Sequence, residues 1–230
     1  MKLSIIIPCY NEEKTIRLIV EKIHKLQDLE KEIIIVDDYS TDNSRKIIEE
    51  LKKENSNLKF IFHDKNLGKG GALQTGFKEA TGELVLIQDA DLEYDPGDYN
   101  KLLNPFLKTD AQIVYGTRFM GGDYVRLHYF WHYIANKLLT TLTNIFTNLN
   151  MTDMETGYKV FKKECLDNII LEEKGFGIEP EITIKLAKKK FIFYEVPISY
   201  SGRSYEEGKK ITIKDAFRAI YCIIRYSLFK

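Results

Sequence analysis

The run Leu84-Val85-Leu86-Ile87, followed at once by Gln88-Asp89-Ala90-Asp91-Leu92-Glu93, constrains the fold more than any other stretch. Four apolar residues without alternation read as a strand buried on both faces, the pattern of a parallel sheet covered by helices. In open sheets of that class ligands collect beyond the carboxyl ends of the strands, which is where these acids fall. In extended chain Asp89, Asp91 and Glu93 share parity and project to one side, with Ala90 leaving room between the first two. Such carboxylates suit Mg²⁺ or Mn²⁺, which keep several waters and share their sites with substrate phosphates. The same acids equally suit a turn or a helix cap, as Asp95-Pro96-Gly97 does.

Upstream, residues 3–8, 33–36 and 58–62 read as strands. Ile16, Ile19, Val20, Ile23 and Leu26, and then Ile47, Ile48 and Leu51, repeat at helical spacing between them, the first helix starting at Asn11-Glu12-Glu13. This strand–helix–strand order gives a sheet that begins parallel, in an α/β fold. The turn Pro8-Cys9-Tyr10-Asn11 lacks the glycines of a dinucleotide fingerprint, which argues against an NAD-type site. Asp37-Asp38 offers acceptors to a ribose hydroxyl or a nucleobase N–H, or else only caps a turn. In His63–Gly71, Lys69 and Gly70 stand at a helix start, where free N–H groups and an ammonium suit a phosphate or ribose. The Walker spacing is absent, and the alternative is a tight turn.

A chain of 230 residues suits one large domain, or one domain with a small appendage. Charge balances overall, but residues 185–230 carry 11 Lys and Arg against 4 Asp and Glu, a net +7, which leaves −7 on the first 184. A basic end points to an anionic partner, and with no nucleic-acid motif a membrane surface is favoured over nucleic acid. Three cysteines without metal or redox spacing fit a reducing compartment. No secretory signal precedes the first strand, and no run approaches the ~18 apolar residues of a membrane span. The expectation is a cytoplasmic protein, peripheral at the cytoplasmic face of a membrane.

Ile5-Ile6-Ile7-Pro8-Cys9-Tyr10-Asn11-Glu12, Val36-Asp37-Asp38-Tyr39-Ser40-Thr41-Asp42, Asn66-Leu67-Gly68-Lys69-Gly70 and Asp89-Ala90-Asp91 together resemble the family 2 glycosyltransferases. The likeness is to the dolichyl-phosphate mannosyltransferase-like branch, which moves sugars from nucleotide donors to polyprenyl phosphates. It implies a GT-A fold, a divalent metal on the D-x-D acids, inversion at the anomeric carbon, and nucleotide contacts at Pro8, Tyr10, Asn11, Glu12, Asp37, Asp38, Lys69, Gly70, Asp89 and Ala90. Residues 1–210 would form the catalytic domain and 211–230 a basic amphipathic helix.

Further along, Gly116-Thr117-Arg118 resembles the family's G-[ST]-R element, which implies that Arg118 meets a phosphate; a planar guanidinium clamps phosphate oxygens with two bonds. Residues 127–149 make an aromatic-rich helical stretch that suits either a lipid interface or the core. Where related enzymes carry an arginine for the acceptor phosphate, this chain has His132, with Arg126 nearby. Asp153 opens a segment resembling D-x-x-[ST]-G-[FY], where it orients an arginine or the sugar, or caps a turn. Glu179 and Glu181 fall in the first turn of a helix, favoured there by the dipole, with a place beside the donor sugar as the alternative. Gly202–Lys210 reads as a loop that closes over pyrophosphate with Arg203, Lys209 and Lys210. The catalytic set is then Asp91, Arg118 and Arg203, with Asp89, Asp91 and Glu93 on the metal. Two rivals remain. One is transfer to a glycan hydroxyl, with Glu179 as base. The other is a nucleotide-binding, membrane-docking module without turnover.

Overall fold

The computed structural model describes residues 1–55, 58–121, 126, 129–203 and 213–229. Strands β1 (Leu3–Cys9), β2 (Lys31–Asp37), β3 (Leu58–Phe62) and β4 (Leu84–Ile87) alternate with helices α1 (Ile16–His24), α2 (Ser44–Glu54) and α3 (Lys69–Glu79). Then come α4 (Tyr99–Lys108), β5 (Ile113–Thr117), α5 (Phe130–Thr147), β6 (Lys159–Lys162), the short α6 (Lys163–Asp167), α7 (Ile178–Lys188), β7 (Phe193–Pro197) and α8 (Ile213–Leu228). The strands form one sheet in the order β3-β2-β1-β4-β6-β5-β7. Pairing is parallel except at β6, which runs against both β4 and β5. The other six strands therefore end at one edge, and β6 begins there, so the loop at 150–158 reaches that edge from the opposite direction.

Alternation along β1 builds both layers of the core. Ile5 and Ile7 face α1, which answers with Ile16, Ile19, Val20 and Ile23 at helical spacing. Ile6 faces the other side, against Leu73 and Phe77 of α3, and the same layer continues through Ile182 of α7 and Ile223 of α8. Each such side chain contributes about 1.5–3 kcal/mol by leaving water.

Two expectations are corrected. The first helix starts at Ile16, because the N–H groups of Glu12 and Glu13 are bound to Ser44 Oγ at 2.9 Å and Asp42 Oδ2 at 3.1 Å. Asn11, at φ 52°, holds Thr41 N at 2.8 Å through its side chain, so the first two strand-end loops are tied together and these residues are kept out of the helix. Second, β4 stops at Ile87, and Asp89, Asp91 and Glu93 lie on a turn in which Leu92 has φ 64°, not on extended chain. On α8, Arg218 pairs with Glu173 at 2.8 Å and Arg225 with Glu172 at 3.0 Å.

Helices α5 and α8 each pack one face on the protein and turn a second apolar face to solvent. Trp131 and Ile145 of α5 are 76% and 71% exposed, and Phe217 and Leu228 of α8 are 69% and 60% exposed. Among the described residues no helix is long and apolar enough to cross a membrane.

Candidate active site

Gln88 fixes the acid turn. Its side-chain oxygen accepts from the hydroxyls of Tyr99 at 2.8 Å and Tyr158 at 2.7 Å, while its amide nitrogen donates to the Asp89 carbonyl at 2.9 Å. Gly157 makes room beside it: a Cβ there would stand 2.3 Å from Asp89 Oδ2 and 2.8 Å from the Tyr94 ring. Three cations meet the acids. Lys69 Nζ lies 2.9 Å from Asp89 and 3.2 Å from Glu179, whose other oxygen takes the buried Lys159. Arg203 reaches Asp91 at 2.8 Å, Glu12 at 3.3 Å and Glu93 at 3.4 Å. Glu93 also accepts from the Tyr200 hydroxyl at 2.6 Å and the Arg203 N–H at 2.8 Å.

The electrostatics follow from that crowding. Burial, then the charges of Asp89 and Glu93, push the Asp91 carboxyl up to about 7 against the pull of Arg203. Burial alone would lower Lys69 and Arg203, but Asp89 and Glu179 hold the first above its ordinary range, and Asp91, Glu12 and Glu93 hold the second. Among the described residues five carboxyl groups (Glu12, Asp89, Asp91, Glu93, Glu179) thus meet three cations (Lys69, Lys159, Arg203), so that acids outnumber cations here.

Asp89, Asp91 and Glu93 all line one cavity. Even so, among the described residues no three acids, histidines or cysteines group closely enough to hold a metal unaided. The three-acid cage is therefore not gathered, because Arg203 stands among the acids and Glu93 is turned to Tyr200. Asp89 and Asp91 remain as two oxygen donors on one turn. Mg²⁺ and Mn²⁺ are commonly held by one or two carboxylates plus substrate phosphates, so the donor chemistry and the surplus of acids fit such an ion.

Of the expected nucleotide contacts, Pro8, Tyr10, Glu12, Asp38, Lys69, Asp89 and Ala90 line the cavity. Asn11, Asp37 and Gly70 support its wall from behind. Asp37 holds Arg45 Nε at 2.6 Å, and a Cβ on Gly70 would stand 2.4 Å from the Glu173 carbonyl oxygen. Asp38 receives the N–H groups of Leu67 at 2.8 Å and Gly68 at 2.6 Å, with His63 Nδ1 at 2.8 Å, while Gly71 N donates to the Lys174 carbonyl. Three of the loop's N–H groups are thus spent inside the protein, and the loop lines the cavity with Asn66, Gly68 and the charged Lys69.

On the opposite side, Arg118 lines the cavity and is gripped from behind by Asp153, through Nε and Nη2 at 2.6 Å each. Asn136 of α5 supports the same carboxylate at 3.1 Å. Burial would raise Asp153, but Arg118 keeps it below the usual carboxylate range. Asp153 is fully buried and orients the arginine; it is not among the residues facing the cavity. His132 lines the cavity, whereas the backbone N–H of Arg126 binds the Tyr200 carbonyl at 2.9 Å and its side chain is not in the wall. Glu179 lines the cavity, but Glu181 clamps the N–H groups of Glu172 and Glu173 at 2.8 Å each and pairs with Lys185, away from it. Lys209 and Lys210 lie outside the described residues. Sequence reasoning missed Tyr94, Tyr200 and Glu155, all in the cavity wall. Of these only Glu155 lay within a quoted motif, at a position the motif leaves open.

A family model described as Glycosyl transferase family 2 matches residues 4–170. The chain is 32% identical to the dolichol-phosphate mannosyltransferase of Pyrococcus furiosus over 98% of its own length and 64% of that protein, so it spans less than two thirds of that relative. It is 29% identical to the UDP-N-acetylglucosamine–dolichyl-phosphate N-acetylglucosaminyltransferase of Methanococcus voltae, over 98% of this chain and 96% of that one. Glucosyl-3-phosphoglycerate synthase from Mycobacterium tuberculosis, crystallised with Mn²⁺, UDP and glucosyl-3-phosphoglycerate, matches with a TM-score of 0.75 at 20% identity, over 98% of this chain and 80% of that chain. The same enzyme has also been crystallised with Mg²⁺ and UDP. That likeness carries the fold, and the chain has the GT-A fold that its sequence led us to expect.

Proposed function

From membership of glycosyl transferase family 2, to which this chain belongs, we propose that it moves a sugar from a nucleoside diphosphate to a polyprenyl phosphate at a membrane surface, with inversion and with a divalent metal. One observation carries this reading: a single cavity of about 730 Å³ unites the acid turn and its cations with an apolar cleft. Asp89, Asp91 and Lys69 form one part of its wall, and Leu139 of α5 with Ala216 and Ala219 of α8 form another. A charged headgroup joined to a hydrocarbon chain matches both parts, and both archaeal relatives are named for dolichyl-phosphate chemistry.

Asp89 and Asp91 would hold Mg²⁺ or Mn²⁺, whose Lewis acidity offsets charge on the departing diphosphate. Lys69 and Arg203 bring fixed positive charge to the same place. Arg118 has two nitrogens committed to Asp153, and its third, Nη1, serves the acceptor phosphate. An acceptor oxygen attacks the anomeric carbon, the bond to the diphosphate oxygen breaks, and the electron pair leaves with the diphosphate. A lipid phosphate is already ionised at neutral pH, so the attack needs no base. Glu179, the base that a hydroxyl acceptor would require, is tied to Lys69 and Lys159. The outward apolar faces of α5 and α8, beside a basic C-terminal segment, suit the interface of an anionic bilayer.

The test incubates the protein with Mn²⁺, UDP- and GDP-linked sugars, and either a short polyprenyl phosphate or a free glycan. Label in the lipid extract from one donor is expected. Label in the glycan, or nucleotide binding without transfer, overturns the reading.

A further inference from the structure

The loop at 153–157 crosses from one half of the proposed chemistry to the other. Asp153 grips Arg118 at one end, and Gly157 backs onto Asp89 at the other. Glu155 lies midway, in the cavity wall. Its surroundings are already neutralised in pairs, Lys159 with Glu179 on one side and Arg118 with Asp153 on the other. Every other acid in the wall has a partner. Among the described residues Glu155 has neither a hydrogen bond nor an ion pair, and its Oε1 is shut off from solvent without a partner. A buried acceptor left in that state is costly, and a turn of the side chain toward a donor supplied by a ligand in the cavity relieves the cost.

We infer that Glu155 reads the transferred sugar, its carboxyl oxygen accepting a hydrogen bond from a sugar hydroxyl or amide N–H held between the donor diphosphate and the acceptor phosphate. This rests on the glycosyltransferase reading of the cavity, and it names the part of the substrate that this side chain selects. A sugar nucleotide fills the gap between Asp89 and Arg118, whereas the bare diphosphate stops short of it. Burial, and next the charge of Glu179, push the carboxyl up to about 7, with Lys159 and Arg118 opposing and Asp153 adding to the rise. The group is thus poised to change between donor and acceptor near neutral pH, which adds to sugar-nucleotide affinity a pH dependence beyond any that the acid turn gives to the diphosphate.

The experiment is calorimetry with Mn²⁺ present, comparing UDP-glucose, UDP-N-acetylglucosamine and GDP-mannose with UDP and GDP. Wild type, Glu155→Ala and the near-isosteric Glu155→Gln are titrated between pH 6 and pH 8, with circular dichroism to confirm folding. Glu155→Ala is expected to weaken the preferred sugar nucleotide about 10- to 100-fold, the worth of one hydrogen bond to a charged group, and to leave its parent diphosphate unchanged. Glu155→Gln is expected to recover part of the loss and to remove the difference in pH dependence between sugar nucleotide and diphosphate. Equal weakening of sugar nucleotide and diphosphate in Glu155→Ala, or no weakening of either, overturns the inference while leaving the glycosyltransferase reading intact. A wild-type protein that binds none of the five probes overturns both.

Discussion

At Arg203 a single guanidinium keeps Asp91, Glu93 and Glu12 from facing one another across the cavity, at distances of 2.8, 3.4 and 3.3 Å. Arg203→Met removes that charge and leaves three acids crowded. Unfolding in urea should show a loss of about 2 kcal/mol, below the full cost of breaking a buried pair because the side chain is 19% exposed. An unchanged midpoint would mean that the acids relax apart without help. Glu155 gives a signed pH effect. Its carboxyl is raised from 4.5 to about 7 in the folded protein, so it costs stability increasingly as pH rises from about 4.5 through 7. Glu155→Gln should therefore melt higher than wild type at pH 8 and no differently at pH 4; equal melting at both would refute the shift. Asp89, Asp91, Lys69, Arg118 and Arg203 were legible in the sequence because each stands at a strand end or in a loop beside one, where residue type and position together specify chemistry. Glu155 and Tyr200 were not, since nothing in a lone side chain records that its neighbours are already paired. Glu181 shows the reverse case, an acid whose burial serves two backbone N–H groups.

Among elements, the segment before α7 does more than its sequence suggests. The carbonyls of Glu173 and Lys174 hold Gln74 Nε2 at 2.8 Å and Gly71 N at 3.0 Å, fixing the start of α3. The Glu173 carboxylate holds Arg218 at 2.8 Å and Tyr226 at 3.0 Å on α8. Glu173→Ala should destabilise the protein by about 1–3 kcal/mol in chemical denaturation and, by freeing α8 from α3, speed amide exchange in both helices. Faster exchange in α8 alone would show that the two are not joined through this residue. Helical spacing and apolar runs placed β1 to β4 and the bodies of their helices, because period and burial are local properties. They carried no information on the direction of β6, which is a matter of topology, and so did not reveal that the 150–158 loop enters the site. The start of α1 was misplaced for a related reason: Ser44 and Asp42 claim its first N–H groups from thirty residues away.

For the whole molecule, the exposed Trp131 of α5 also lines the cavity, and the exposed Phe217 of α8 stands next in the chain to Ala216 of its wall. Sedimentation with vesicles should show binding to bilayers containing anionic phosphatidylglycerol, weaker binding to neutral phosphatidylcholine, and loss of binding on Trp131→Asp with Phe217→Asp. Both side chains lie on exposed faces, so folding should persist. Undiminished binding by that double variant would place the contact elsewhere. The central claim is that the acid turn grips a diphosphate through a divalent cation, and calorimetric titration of UDP and GDP in Mn²⁺ or in EDTA, on wild type and Asp91→Asn, tests it directly. One of the two nucleotides should bind at least about tenfold more tightly with Mn²⁺, a difference of about 1.4 kcal/mol, and Asp91→Asn should abolish that gain. Equal affinity in Mn²⁺ and EDTA, or a gain that survives Asp91→Asn, would contradict it.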